Sequence, residues 1–241
     1  MCGIVGYVGH RDAVSFILPG LRRLEYRGYD SAGIATVSRM SLDVRKTTGK
    51  IADLEALLAS DWPKGTLGVG HTRWATHGRP SDANAHPHLD CRSDVAIVHN
   101  GIIENYRELR KSLAAEGHRF RSQTDSEVIA HLIERYQTNG LAEAVLRAAR
   151  DLQGAYAVAC IASNAPNTLI AFRRGSSPLV IGFGHGEMSV ASDIPALLGQ
   201  TREILVLGEG ELAVVTPDGI TLRTLDGVPI QRQPSIVPWD G

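Results

Sequence analysis

A chain of 241 residues with 43% hydrophobic and 21% charged residues holds enough apolar side chain to bury a substantial core, as one large domain or two small ones. A formal charge of −1 provides no bulk attraction for nucleic acid or anionic lipid, so no nucleic-acid partner is expected. Cys2, Cys91 and Cys160 are few and lack CxxC spacing, which excludes a disulfide framework; no leader is evident and no apolar run nears the ~18–20 residues of a membrane span, so a cytoplasmic protein with no membrane partner is expected.

In chain order, Ile4 to Val8 reads as a short buried strand. Val14, Ile17, Leu18, Leu21 and Leu24 form a helical stripe after the potential cap Asp12, with Pro19-Gly20 predicting a kink or a shortened helix. A polar, glycine-rich loop, residues 25–33, precedes strands at Ile34–Val37 and Leu42–Thr47, then a short helix with Ile51, Leu54, Leu57 and Leu58. Leu67–Gly70 is a strand leading into a polar loop, and Val95–His99 a strand expected to stop at Asn100-Gly101. Asn105 with Glu108, and Thr124 with Glu127, have the spacing of helix capping boxes, and a third helix spans Leu141 to about Arg150. Seven short runs follow between Ala155 and Thr224, bounded by Gly, Pro, Asn and Asp as antiparallel strands are. Strands, then helices, then strands point to an α+β layered domain over residues 1–228, with residues 229–241 a proline-containing linker or tail.

Several groups have chemistry to offer. If Met1 is clipped, Cys2 bears a thiol and an α-amine on one residue, nucleophile and base together; otherwise it is a small residue opening a strand. Arg73 in residues 71–78 is suited to bidentate grip of a carboxylate, or is part of a solvated loop. His71, His77, His86, His88 and His99 raise the question of a metal. Neither HExxH nor paired-cysteine spacing is present, so hydrogen-bonded structural histidines, no metal and no cofactor are expected. Asn100-Gly101 offers a side-chain amide and a backbone N–H to an oxyanion, or a plain turn. Asp125 is a helix cap or an ammonium ligand. Nucleotide-binding and serine-hydrolase motifs are absent from the sequence.

Taken together, Cys2–Gly6, Leu24–Gly33, His71–Gly78, Asn84–His88, His99–Asn105 and Thr124–Glu127 resemble the class II (N-terminal nucleophile) glutamine amidotransferases. Within that class the run from Leu24 to Gly33 and the pairing of residues 71–78 with 84–88 are similar to the glutaminase domains of glucosamine-6-phosphate synthases. The resemblance covers Cys2 to about Leu225 and implies a four-layer αββα sandwich of two antiparallel sheets. It implies Cys2 as nucleophile with its own α-amine as base, and Asn100 and Gly101 as the oxyanion hole. Arg73 would bind the α-carboxylate of L-glutamine and Asp125 its α-ammonium, with Thr76 and His77 helping. Trp74 would lie near the ammonia exit and Arg27 close to the nucleophile. The parent enzymes add a sugar-isomerase half in cis that binds fructose 6-phosphate and makes a homodimer; it is missing after Gly241. A sibling glutaminase domain of the same class, a non-catalytic glutamine-binding domain if Met1 is retained, and a metal-dependent hydrolase are the other readings.

Overall fold

In the computed structural model, which describes residues 2–75 and 78–238, the apolar run after Cys2 forms β1 (Gly3–Val8), buried at every residue. Then come α1 (Ala13–Leu24), β2 (Ser31–Ser38), β3 (Ser41–Thr48), α2 (Ile51–Ser60), β4 (Leu67–Arg73), β5 (His88–Leu89) and β6 (Val95–Ile103). The middle of the chain supplies α3 (Tyr106–Ala115), α4 (Glu127–Tyr136) and α5 (Leu141–Asp151). The remainder is β7 (Gly154–Ala162), β8 (Leu169–Arg174), β9 (Val180–Gly184), β10 (Glu187–Ala191), β11 (Glu203–Val206), β12 (Glu211–Thr216), β13 (Gly219–Thr224), β14 (Pro229–Ile230) and β15 (Ser235–Ile236).

The strands make two sheets, ordered β15-β11-β9-β10-β1-β4-β2-β3 and β14-β13-β12-β8-β7-β6-β5, antiparallel at every pairing between described residues. Period-two alternation assigns each strand's faces. On β7, Ala157, Ala159 and Ile161 face the other sheet, while Tyr156, Val158 and Cys160 pack beneath α4 and α5. On β1, Ile4 and Val8 face between the sheets and Val5 and Tyr7 pack against α1. Three apolar layers result, helix–sheet, sheet–sheet and sheet–helix, which is the expected α+β αββα sandwich. None of the described helices is long and apolar enough to cross a membrane.

Several local expectations give way to tertiary contacts. Asp12 caps α1, its Oδ2 accepting from Ser15 N at 2.8 Å, but the helix is not shortened at Pro19-Gly20. Pro19 lies on the exposed side with Ser15, whose carbonyl loses its helical donor where water can replace it. Gly20 lies against β1, where a Cβ would come 3.1–3.2 Å from the Val5 methyls. Neither capping box forms. Asn105 donates to Asp151 O at 2.8 Å and accepts from Gln153 N, tying α3 to the α5–β7 turn, and Thr124 reaches His88 instead. Residues 229–230 and 235–236 each extend the edge of a different sheet.

Gly70 shows how tightly α1 rests on the sheet: a Cβ there would lie 2.5 Å from Ile17 Cγ2 and 2.9 Å from Leu21 Cδ1. Gly70→Val should therefore cost roughly 1–3 kcal/mol by overpacking, read as a lower urea midpoint. An unchanged midpoint would mean that α1 can lift at no cost.

Candidate active site

The pairing of β1 with β4 sets Gly3 opposite Thr72, so Cys2 meets the chain just beyond β4. Trp74 N–H donates to Cys2 Sγ at 3.2 Å, and the thiol donates to Trp74 O at 3.5 Å. Cys2 opens on a cavity of about 330 Å³ that is also lined by Arg27, Arg73, Trp74, Asn100, Gly101 and Asp125. The described candidates thus converge from five separate chain segments on one pocket. Thr76 and His77 lie outside the described residues, as does Met1. Burial pushes the Cys2 thiol up from its ordinary value, while the Trp74 N–H and the Arg73 guanidinium pull the other way.

Residues 71–73 are not loop, as expected, but the buried end of β4. Pairing continues because β2 lies alongside, Ser31 opposite Arg73. Arg73 is only 4% exposed, and its Nη2 donates to Gly78 O at 3.1 Å. Burial lowers its pKa, with the Cys2, Asp30 and Asp125 charges opposing that shift. Asp125 is equally buried, and its Oδ2 accepts from Ile103 N at 2.8 Å, so it fastens the end of β6 rather than capping α4. A cation and an anion held by different layers therefore border one cavity.

Arg27, in a short 3₁₀ turn, pairs with Asp193, and its Nε donates to the Tyr26 hydroxyl at 3.1 Å. Gly28 beside it admits the Arg73 backbone, since a Cβ there would fall 2.8 Å from the Arg73 carbonyl carbon. Trp74 is 45% exposed at the rim and meets Tyr29 edge-on, with ring centroids 5.2 Å apart.

The strand was expected to stop at Asn100-Gly101, but it does not, and the alternative of a plain turn falls away. Strand β6 runs through both residues to Ile103, opposite Ala157 and Tyr156 of β7. Gly101 takes φ +121°, and a Cβ would sit 2.1 Å from Ala155 O, so the position is closed to other residues. The Asn100 amide is oriented by two contacts. Its Oδ1 lies 3.0 Å from His71 Nε2, and its Nδ2 donates to Cys2 O at 3.0 Å. His71 Nε2 is also 3.1 Å from His99 O, so this nitrogen has acceptors on both sides and is the protonated one.

His71 belongs to a buried group of imidazoles. It stacks on His86 at 4.2 Å, His86 meets His88 at 4.4 Å, and His99 Nδ1 lies 2.8 Å from Ser126 Oγ. Burial drives the pKa of His71 down to about 3, and those of His86 and His88 well below the ordinary value. The expectation of hydrogen-bonded histidines describes this group. Sequence reasoning missed Ser176, Ser177 and Pro178, which line the cavity from the β8–β9 turn. Their cluster of turn-forming residues was a signal of a loop, though not of this pocket. It also missed Asp30, whose Oδ2 accepts from Ala75 N and holds the segment after Trp74.

The buried histidines predict a sign for pH dependence. Below the ordinary histidine pKa the unfolded chain takes up protons that folded His71 refuses. Stability is thus complete above about pH 6.5 and falls as pH drops toward 3, by roughly 2 kcal/mol at pH 5 for His71 alone. Denaturation midpoints between pH 7 and 5 should fall less steeply in His71→Gln than in the parent. Equal slopes would show that His71 takes up its proton in the fold.

Comparison with known proteins follows the same lines. The glutamine amidotransferase domain model matches residues 71–199, just over half of the chain. The glutamine--fructose-6-phosphate aminotransferase (isomerizing) of Symbiobacterium thermophilum is 54% identical over 241 residues, all of this chain and 39% of that protein. The enzyme of the same name from Aquifex aeolicus is 52% identical over all of this chain and 40% of its own length. The chain thus spans about two-fifths of the curated relatives it matches. Among solved structures, a glutamine phosphoribosylpyrophosphate amidotransferase from B. subtilis superposes with a TM-score of 0.82 at 28% identity, over 93% of this chain and 49% of that one. Both the pocket and the sequence matches lead to one assignment: the chain belongs to the glutamine amidotransferase domain family.

Proposed function

We propose that the chain hydrolyses the side-chain amide of L-glutamine to glutamate and ammonia, with Cys2 as the nucleophile after removal of Met1. The observation that carries this reading is the convergence of Cys2 Sγ, the Asn100 amide, Arg73 and Asp125 on one cavity. In this reading the α-amine of Cys2 takes the thiol proton, and sulphur bonds to the amide carbon. The charge moves to the former carbonyl oxygen, which the second N–H of Asn100 Nδ2 and the Gly101 backbone N–H would receive. Collapse breaks the C–N bond as the amine returns its proton to nitrogen, releasing ammonia and leaving a γ-glutamyl thioester. Water then cleaves the thioester to glutamate and restores the thiol.

Arg73 would hold the glutamine carboxylate and Asp125 its ammonium, each a buried charge facing a ligand charge of opposite sign. Thr76 and His77 would complete that grip, Arg27 would border the nucleophile, and Trp74 would stand at the exit. Identities of 54% and 52% to glutamine--fructose-6-phosphate aminotransferases favour fructose 6-phosphate as the final acceptor of the ammonia. Residues 1–228 would then be the glutaminase unit of a longer cytoplasmic homodimer, with 229–241 leading to the sugar-isomerase half.

Intact mass and glutamate release, measured on one sample, test the nucleophile together with its free amine. Loss of Met1 with turnover is expected; turnover in a sample that retains Met1 throughout would exclude the amine as base. Cys2→Ala should abolish glutamate release with an unchanged circular dichroism spectrum. Asn100→Ala should lower kcat by roughly 10²–10³. A normal rate for Cys2→Ala would reassign the nucleophile, and a normal rate for Asn100→Ala would leave the amide only its contacts with His71 and Cys2.

A further inference from the structure

Outside the glutaminase pocket, and sharing no residue with its lining, four side chains from three segments converge. They are Cys91 in the β5–β6 turn, His118 after α3, and His131 and Glu134 on α4. Their donor atoms lie within 4.8 Å of one another. His118 Nδ1 and His131 Nδ1 are 3.3 Å apart, and Cys91 Sγ is 3.7 and 3.6 Å from them. Glu134 Oε2 is 3.0 Å from His118 Nδ1 and 3.5 Å from His131 Nδ1.

We propose that these four residues bind one structural divalent transition-metal ion, with zinc the best match. A tetrahedral zinc with N, O and S ligands at about 2.0–2.3 Å requires donors spaced about 3.3–3.4 Å between nitrogens and oxygen, and about 3.6 Å from nitrogen to sulphur. The five distances above fall around those edges. One thiolate, two imidazoles and one carboxylate make a borderline-soft set that selects zinc or cobalt over magnesium or calcium.

The surroundings suit a metal as well. Arg119 N–H donates to Cys91 Sγ at 3.3 Å, and Cys91 N–H donates to Glu134 Oε2 at 3.2 Å, so sulphur and carboxylate are both oriented by backbone. The Nε2 of the fully buried His131 faces Glu127 Oε1 at 3.6 Å, the carboxylate–histidine arrangement that holds a ligating imidazole in its tautomer. An open depression bordered by Cys91, His118 and Glu134 gives an ion a way in. Direct hydrogen bonding alone fits less well, because both Nδ1 atoms, the thiol and Oε2 point at one centre with too few protons to satisfy every pair.

Such an ion would cross-link the β5–β6 turn, the α3–α4 connection and α4. No motif spacing announces it, since two ligands arrive through the fold and only His131 and Glu134 are neighbours, three residues apart on a helix. The expectation of no metal considered only the histidines between His71 and His99, which lie elsewhere.

The test uses the 241-residue chain bearing Cys2→Ala, so that the active-site thiol cannot capture metal. After dialysis against a chelator and a circular dichroism check of the fold, zinc is titrated in competition with a chromogenic indicator, and cobalt(II) is followed by absorption. The expected result is about one zinc per chain and tetrahedral cobalt bands with thiolate charge transfer. Cys91→Ser should remove the charge-transfer band, and His118→Ala, at the rim, should weaken zinc by at least ~10-fold. A folded parent that binds neither metal overturns the proposal, as does binding unchanged in both variants. The parent measurement stands even if a variant fails to fold.

Discussion

The register of β1 against β4 is the constraint on which the site depends. Gly3 opposite Thr72 brings Cys2 to Trp74, and the Trp74 N–H then holds Sγ at the cavity. Slippage by one residue would turn Cys2 away and invert the two apolar faces of β1, exposing Ile4 and Val8 to the α1 side and Val5 and Tyr7 to the other sheet. Because β1 is flanked by β10 and β4, both of its ladders resist that slip. The core therefore enforces the position of a residue at the very end of a strand, where fraying would otherwise be expected.

The second constraint joins the two sheets. His71 belongs to the eight-stranded sheet and Asn100 to the seven-stranded one, and their contact at 3.0 Å crosses the sandwich. It also fixes which end of the Asn100 amide faces Cys2. Only an imidazole protonated at Nε2 can do this, and burial keeps that ring uncharged by pulling its pKa to about 3. The neighbouring His86 and His88 are uncharged for the same reason, so these three rings add no charge to the pocket. Among the described residues, the ionisable Asp, Glu, Lys and Arg side chains that line the cavity are Arg27, Arg73 and Asp125.

Strand positions were legible because short apolar runs between turn residues report burial directly. The seven short runs expected between Ala155 and Thr224 appear as β7 to β13. What escaped were features decided by distant partners. Asn100-Gly101 has turn chemistry but lies beside β7, which extends the ladder through it. His71 to Arg73 look like loop because they are polar, yet β2 pairs with all three and β1 with His71 and Thr72. The Asn105 and Thr124 boxes have the right spacing, but their side chains find closer acceptors and donors in other elements. Among the site residues, Cys2, Arg73, Asn100 and Asp125 could be singled out by the chemistry of their types. Ser176 to Pro178 could not, because only the fold brings that turn to the cavity.

Glu127 links the pocket to the second cluster. Burial alone would push its carboxyl up, but His131, the Ser122 hydroxyl and the backbone N–H groups of Arg121 and Ser122 outweigh burial and hold it at about 2. Its oxygens accept from Arg121 N at 2.7 Å, Ser122 N at 2.7 Å and Ser122 Oγ at 2.6 Å. The segment from 121 to 126 is thereby anchored on a buried anion, with Asp125 at the pocket on one side and His131 on the other. Removing that charge would leave the N–H groups of Arg121 and Ser122 with weaker acceptors and His131 without a facing carboxylate. The strand end at Ile103, the cavity-lining Asp125 and the imidazole of the second cluster are thus held by one ionised carboxylate, which explains why an acidic side chain is kept at 2% exposure in the first turn of α4.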